Sequence, residues 1–213
     1  MARVSKTALF NAAKSWDVVA VESMLAERPD LAAATDPKGR TALHLACNVK
    51  PGSVGLGESN GIETAAALLR AGAALDAEMP ADERDGEFRA TPLWYAVAWA
   101  ENLPLAEFLL ERGANPSNPL WAVVWRDDEI FCRALLRRQP RLDLIAEGET
   151  PIFAAARLKR LKTLRLLIEA GADPTIPDNR GRDALDIARA RRLPPNMLDS
   201  LAEAKRNAEK RRR

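Results

Sequence analysis

Apolar and polar residues follow one another in a pattern that occurs six times along the chain. Each copy begins with a polar residue and continues with apolar residues at helical spacing, and most copies are followed by a second apolar run. Apolar residues at i, i+3 and i+4 predict short helices, so we expect an all-α array of helix pairs. The copies are TALFNAA at 7–13, TALHLAC at 41–47, TPLWYAV at 91–97, NPLWAVV at 118–124, TPIFAAA at 150–156 and DALDIAR at 183–189.

Glycine and proline mark the ends of the predicted helices. The second apolar run ends at a glycine in LLRAGA, LLERGANP and LLIEAGADP, a position that favours a left-handed residue closing the helix. Pro92, Pro119 and Pro151 stand in the first helical turn, where the missing N–H has no partner to lose. Two copies end without glycine, in RPDL (28–31) and QPRL (139–142), so we expect their loops to differ.

The spacing of the copies resembles that of the ankyrin repeat. Successive copies begin 34, 50, 27, 32 and 33 residues apart, and TALHLA, TPLWYA and ERGANP match the pattern of that family. The resemblance covers nearly the whole chain. It implies an all-α, ankyrin-type helical repeat solenoid with projecting loops, in which loops and first helices form a concave binding face.

By this analogy the chain is a single domain, 1–213, of about six repeats. A polar C-terminal capping helix and a basic tail at 205–213 complete it. Two insertions depart from the pattern, at 50–60 and 79–88, and we expect both to be mobile because they contain few apolar residues. The predicted repeats are 3–34, 35–77, 78–115, 116–144, 145–177 and 178–206.

His44 is the only histidine in the chain and the obvious candidate for a general base. It stands three residues after Thr41, where the resemblance implies a histidine that ties the helix start to a neighbouring loop. No serine or cysteine stands in a recognisable nucleophile motif. We therefore predict an architectural role for His44. The other copies fill its position with Phe10, Trp94, Trp121, Phe153 and Asp186.

Composition limits the remaining possibilities. Two cysteines, Cys47 and Cys132, are too few for a disulfide framework, which favours a reducing compartment. The N-terminal residues lack the apolar core of a secretory signal, and we expect a cytoplasmic protein without a membrane span. One histidine and two cysteines do not suggest a metal site, and we expect no metal and no cofactor. The glycine-rich 50–60 lacks the Gly-Lys-Ser/Thr ending of a phosphate-binding loop.

The resemblance and the lack of a catalytic motif predict a non-catalytic protein–protein interaction module. We expect a monomer whose concave face binds a protein or peptide partner with an apolar anchor and acidic flanks. Trp99 and Trp125, at the ends of first helices, are the expected anchors, because exposed tryptophans often dominate binding energy. The predicted partner-binding residues are Lys38, Arg40, Val49, Phe88, Trp99, Trp125, Arg126, Arg157, Leu158, Arg182 and Arg191.

Two alternatives remain open from the sequence. The insertions could cover Trp94 and Trp121 and form a pocket for a small ligand or an enzymatic reaction, with Arg126 or Arg89 as counter-charge. The region from Arg157 onward has 16 basic and 8 acidic residues, so the basic C-terminal part is a candidate for nucleic-acid contact. No aromatic residue is interleaved with the charges of the tail, which disfavours the second alternative.

Overall fold

The chain is all-α, as the sequence predicts. A computed structural model describes residues 4–55, 57–80 and 85–212, and within these ranges it has twelve α-helices and only isolated β-bridges. Two helices begin in each predicted repeat range, and the last of them continues beyond residue 206 to Arg211. The repeat boundaries themselves stay a prediction. The helices are α1 (Lys6–Lys14), α2 (Val18–Glu27), α3 (Ala42–Cys47), α4 (Glu58–Arg70), α5 (Pro92–Ala98), α6 (Leu103–Glu111), α7 (Leu120–Arg126), α8 (Glu129–Leu136), α9 (Pro151–Arg157), α10 (Leu161–Glu169), α11 (Ala184–Ala190) and α12 (Pro195–Arg211).

The residue contacts divide the chain into two compact units. Unit 1 is Met1–Pro80 with Arg89–Asn115, and unit 2 is Ala81–Phe88 with Pro116–Arg213. Helices α1–α6 belong to unit 1 and helices α7–α12 to unit 2. The single-domain organisation expected from the sequence stays a prediction.

Side-chain caps start most of the first helices. The hydroxyls of Thr41, Thr91 and Thr150 accept hydrogen bonds from the backbone N–H three residues later, which satisfies a donor that has no partner inside the helix. Asp183 caps α11 in the same way. Pro92 and Pro151 occupy the first turn as predicted, whereas Pro119 lies one residue before α7.

Left-handed residues follow four of the second helices, three of them at the predicted glycines. Gly72, Gly113 and Gly171 have φ values of 91°, 89° and 84°, a conformation that costs glycine little. In the fourth pair Gln139 adopts φ 51° at the corresponding place. The missing glycine therefore does not remove the left-handed turn there.

His44 is architectural. It is fully buried, and its Nδ1 accepts a hydrogen bond from the backbone N–H of Thr41 at 3.1 Å, completing a capping box at the start of α3. Its ring meets that of Tyr95 edge-on at 5.7 Å. Burial lowers the pKa of His44, although the backbone carbonyls of Ala90 and Ala77 favour the protonated ring.

The two insertions differ in how they are anchored. Residues 50–55 form exposed or half-buried turns. In the other insertion, Phe88 packs against the core of unit 2, and the Glu87 carboxylate accepts hydrogen bonds from the Arg141 guanidinium at 2.5 Å and the Ile145 N–H at 2.9 Å. The expectation that 79–88 lacks an apolar anchor is wrong for 85–88. Residues 56 and 81–84 lie outside the described residues, and the mobility of both insertions stays a prediction.

Trp16 contacts two helices of unit 1, α3 through a hydrogen bond and α4 through a close approach to a glycine. Its ring is buried, and its Nε1 donates to the Ala46 carbonyl at 2.9 Å. A Cβ atom placed on Gly61 of α4 would come within 2.7 Å of that ring, closer than two carbon atoms can pack. Glycine at 61 therefore allows α4 to approach the ring.

We predict that Gly61→Ala destabilises the protein although alanine is the better helix former. Alanine gains about 1 kcal/mol in helix propensity, whereas overpacking typically costs 1–3 kcal/mol. We expect a net loss of about 1 kcal/mol in the free energy of unfolding, measured by urea denaturation. Ser59→Ala on the exposed side of α4 is the control and should be close to neutral. Adding Trp16→Phe should relieve part of the loss, and a fully additive double variant would contradict the contact.

We also predict that acid weakens the fold through His44. Its pKa in the folded chain lies below the unfolded value of about 6.5, so the unfolded state binds the proton more readily. The stabilisation is complete above that value and declines as the pH falls below it. Urea denaturation of the wild type from pH 7.5 to 5 should show this decline.

His44→Gln is the matched variant, because glutamine keeps a capping-box side chain but does not titrate. Its stability at pH 7.5 should be lower because it loses the ring packing. The difference between the two proteins should shrink as the pH falls to 5. If the stabilities of the two proteins changed in parallel with pH, the lowered pKa of His44 would be contradicted.

Candidate functional site

Trp99 is an exposed aromatic residue of unit 1. It caps the C-terminus of α5, and 60% of its surface is exposed. The Trp94 ring meets the Trp99 ring edge-on at 6.1 Å and the Tyr95 ring at 5.1 Å. Trp94 is half-buried and Tyr95 is buried, so the Trp99 ring packs against a partly buried ring while most of its own surface stays exposed to solvent.

Trp125 is the corresponding exposed residue of unit 2. It lies in the last turn of α7 and is 56% exposed, whereas Trp121, one turn earlier, is 8% exposed and belongs to the core. Asp127 follows in a left-handed conformation, and its carboxylate accepts hydrogen bonds from the N–H and hydroxyl of Thr163 at 2.9 Å. The end of α7 is thereby fixed to the start of α10.

The three other apolar candidates are less exposed than the two tryptophans. Val49 is only 9% exposed, so a partner cannot reach its side chain. Phe88 and Leu158 are partly buried and pack against the core of unit 2. The prediction that Val49 faces a partner is therefore wrong, whereas for Phe88 and Leu158 it stays a prediction.

A five-residue loop with the sequence Asp-x-x-Gly-Arg fixes two of the predicted cations. In Asp36–Arg40 and again in Asp178–Arg182, the Oδ1 of the aspartate accepts two backbone N–H bonds, each 2.9 Å long. The aspartate Oδ2 lies 2.7 Å from Arg40 in the first loop and 2.6 Å from Arg182 in the second.

These contacts keep both aspartates ionised. The side-chain hydrogen bond from Arg182 lowers the pKa of Asp178 to about 2. Burial alone would raise the pKa of Asp36, but hydrogen bonds from Arg40 and Lys38 outweigh it and the pKa is lowered.

Two further predicted cations also have carboxylate partners. Arg157 lies 2.8 Å from Glu149, and Arg126 lies 3.6 Å from Asp128. Together with Arg40 and Arg182, they are therefore used in part to hold loops and turns. The sequence predicts all four as partner-binding residues, and that assignment stays a prediction, with the direction of each side chain set in part by a carboxylate of this chain.

Lys38 and Arg191 remain the exposed cations of the predicted set, and Arg180 joins them. None of the three has a side-chain ion pair among the described residues. Sequence reasoning missed Arg180. It stands two residues after the loop aspartate, the same place as Lys38 in the other copy, and comparison of DPKGR with DNRGR would have found it.

A groove of about 530 Å³ lies on unit 2. Its lining contains four arginines, Arg157, Arg180, Arg182 and Arg191, together with the carboxylates of Glu147, Glu149 and Asp178. Ile187 and Ala190 of α11 contribute apolar surface. Neither Trp94 nor Trp121 lines this groove.

The described residues contain little that suggests catalysis or metal binding. Burial raises the pKa of Cys132 to about 12 and that of Cys47 further, and both thiols are free and buried, so neither is a ready nucleophile. Residues 4–55, 57–80 and 85–212 hold no cluster of three histidine, cysteine or acidic side chains suited to a metal ion. Over the same ranges no helix has the length and apolar character needed to cross a bilayer.

Comparisons with known proteins agree with this architecture. Models of the ankyrin repeat match residues 93–178, as three copies, and residues 38–79. The fold is similar to that of an ankyrin repeat domain from Acinetobacter baumannii, with a TM-score of 0.71 and 24% identity over 94% of this chain and 98% of the other. It is also similar to the ankyrin repeat domain of Bcl-3, a member of the IkappaB protein family, with a TM-score of 0.61 and 22% identity over 92% of this chain and 97% of that domain.

A curated human protein shares a shorter segment. Neurogenic locus notch homolog protein 4 of Homo sapiens is 45% identical over 49 residues, which are 23% of this chain. The match spans about 2% of the length of that protein, so it bears on the repeat alone. Ankyrin repeats are generally protein–protein interaction modules, and the family is generally non-enzymatic. With helix pairs, turns and family models in agreement, the chain belongs to the ankyrin repeat family.

Proposed function

We propose that this protein is a non-catalytic module that recognises another protein through exposed side chains at the ends of its first helices and on its loops. The observation that carries the proposal is the exposure of Trp99 in unit 1 and Trp125 in unit 2. Tryptophan is enriched among the residues that dominate protein–protein binding energy, because it buries a large apolar area with few rotatable bonds. Each exposed ring therefore offers an apolar anchor within its own unit.

Exposed cations support a partner with acidic flanks. Lys38 belongs to unit 1, and Arg180 and Arg191 to unit 2, and none of them is held by a carboxylate among the described residues. Cations at the edge of an apolar contact attract acidic groups and accelerate association. The partner we propose combines an apolar anchor with acidic side chains. We also propose that this protein is cytoplasmic, because free thiols such as those of Cys47 and Cys132 persist in a reducing compartment.

The two alternative functions find no support. Trp94 is engaged with its ring neighbours in unit 1, Trp121 is buried in the core of unit 2, and Arg89 lies 3.9 Å from Glu78. The basic C-terminal part is partly neutralised as well, since Lys205 pairs with Asp183 and Arg212 with Asp173, both at 2.6 Å.

We predict that Trp99→Ala and Trp125→Ala each weaken partner binding by about 2 kcal/mol or more, which is roughly 30-fold. Both should change the melting temperature by only a few degrees, because neither ring is in the core. The measurement is affinity capture from cell extract with quantitative mass spectrometry, comparing each variant with the wild type. Proteins retained by the wild type should be depleted from both variants.

Val19→Ala and Ile130→Ala are the matched controls. Both residues are exposed apolar side chains, 77% and 66% open, but they lie on second helices, α2 and α8. The controls should retain the wild-type partners. If the tryptophan variants unfold, or if all four variants retain the same proteins, the anchors are wrongly assigned. Turnover of a small-molecule substrate by the purified protein would contradict the non-catalytic function.

A further inference from the structure

We propose that the groove of unit 2 binds an extended acidic segment of a partner protein, and that Arg180 and Arg191 receive two of its carboxylates. This inference rests on the proposed function and names a site and a chemistry for it. It does not involve Trp99 or Trp125, so the two assignments can fail separately.

The two arginines stand at opposite ends of α11. Arg180 lies on the loop before the helix, where Asp178 accepts its backbone N–H at 2.9 Å, and Arg191 caps the C-terminus of the helix. Both side chains are exposed, line the groove and have no ion pair among the described residues. α11 has seven residues and is therefore about 10 Å long, and residues 181–183 separate it from Arg180.

The groove also contains two arginines that are already fixed by carboxylates. Arg157 is held by Glu149 and Arg182 by Asp178, whose side chain is only 6% exposed. Arg157 donates to Glu149 through Nε, which leaves its terminal nitrogens as donors. Side chains held in this way lose little entropy when a ligand binds. They provide positioned donors, while the exposed arginines provide the attraction.

The charge pattern favours a peptide over a nucleic acid. Glu147 is exposed in the groove and has no ion pair among the described residues, so it would repel a phosphate backbone. The lining contains no aromatic side chain on which bases could stack. A peptide avoids both problems, because its backbone N–H groups or a lysine can donate to Glu147 while its acidic side chains face the arginines.

The spacing of the arginines predicts the spacing of the acidic residues. An extended peptide advances about 3.3 Å per residue and its side chains alternate between two faces, so two carboxylates that face the same groove lie an even number of positions apart. Four positions are the expected separation, because two positions span only about 7 Å, which is less than the length of α11. Acidic residues next to each other, or far apart, should engage only one arginine.

The experiment uses the full chain and labelled peptides of glycine and serine that carry two glutamates at separations from one to seven positions. Fluorescence anisotropy measures the affinity for each peptide, for glutamine counterparts and for single-stranded oligo(dT) of equal length. We expect the tightest binding at a separation of four, at least tenfold tighter than the glutamine counterpart. Binding should weaken with added salt.

Arg180→Glu and Arg191→Glu should each weaken binding of the best peptide at least tenfold, while Glu147→Gln should not weaken it. Arg206→Glu is the matched control, because it makes the same charge change on the exposed side of α12. It should change the affinity less than twofold. Melting temperatures of all variants should stay within a few degrees of the wild type.

Equal losses in the Arg206→Glu and groove variants would overturn the proposal, as would the absence of a spacing preference. Tighter binding of oligo(dT) than of any glutamate peptide would assign the groove to nucleic acid instead. If any of these results appears while Trp99→Ala and Trp125→Ala still lose the cellular partner, the proposed function stands and the groove assignment is wrong.

Discussion

Burial of one apolar face per helix pair is the constraint on which this architecture depends. The first helices are short, with six residues in α3 and seven in α5, α7, α9 and α11, too few to be stable alone in water. Leucines such as Leu43 and Leu93 in unit 1 and Leu185 in unit 2 are buried by neighbouring pairs. Each contributes about 1.5–3 kcal/mol, so a pair is stable only within the array.

Short helices require the chain to turn at fixed places, and these turns position the candidate functional residues. Trp99 and Trp125 are exposed because each stands at the last residues of a first helix, beyond the buried face. The following turns place Glu101 and Asp127 in the left-handed region, which is unfavourable for residues other than glycine and is maintained by the surrounding packing. Asp127 adds a contact of its own, since it caps α10, which has no cap from its own N-terminal residue.

Much of the fold was predictable from local sequence signals. Helix pairs, glycine-terminated helices and the structural role of His44 depend on residues within a few positions of one another. The anchoring of Glu87 by Arg141 and Ile145 was not predictable, because these residues are more than 50 positions apart in sequence. The burial of Val49 was also not predictable. It lies just beyond the end of α3, where a shift of a single position decides whether a side chain faces the core or solvent.

The candidate site was less predictable because the sequence does not say which charges are already paired. Arg40 and Arg182 are neutralised by an aspartate four positions earlier, within a loop that the Asp-x-x-Gly-Arg sequence encodes. The same loop presents its central residue, Lys38 or Arg180, to solvent. One motif therefore produces a structural cation and an available cation two positions apart.

Because some cations are paired within the chain and others are not, net charge is a poor guide to the ligands that this protein could bind. The whole chain carries only +2, and most of the arginines discussed here hold a carboxylate of their own chain. An ion pair at the surface contributes little to stability, but it fixes the direction of both side chains. Fixed pairs therefore set the directions of Arg157 and Arg182 in the groove of unit 2, whereas Arg180 and Arg191 have no such carboxylate among the described residues. In our proposal these two arginines select the charge of the ligand, and only the contacts of the folded chain distinguish them from the paired ones.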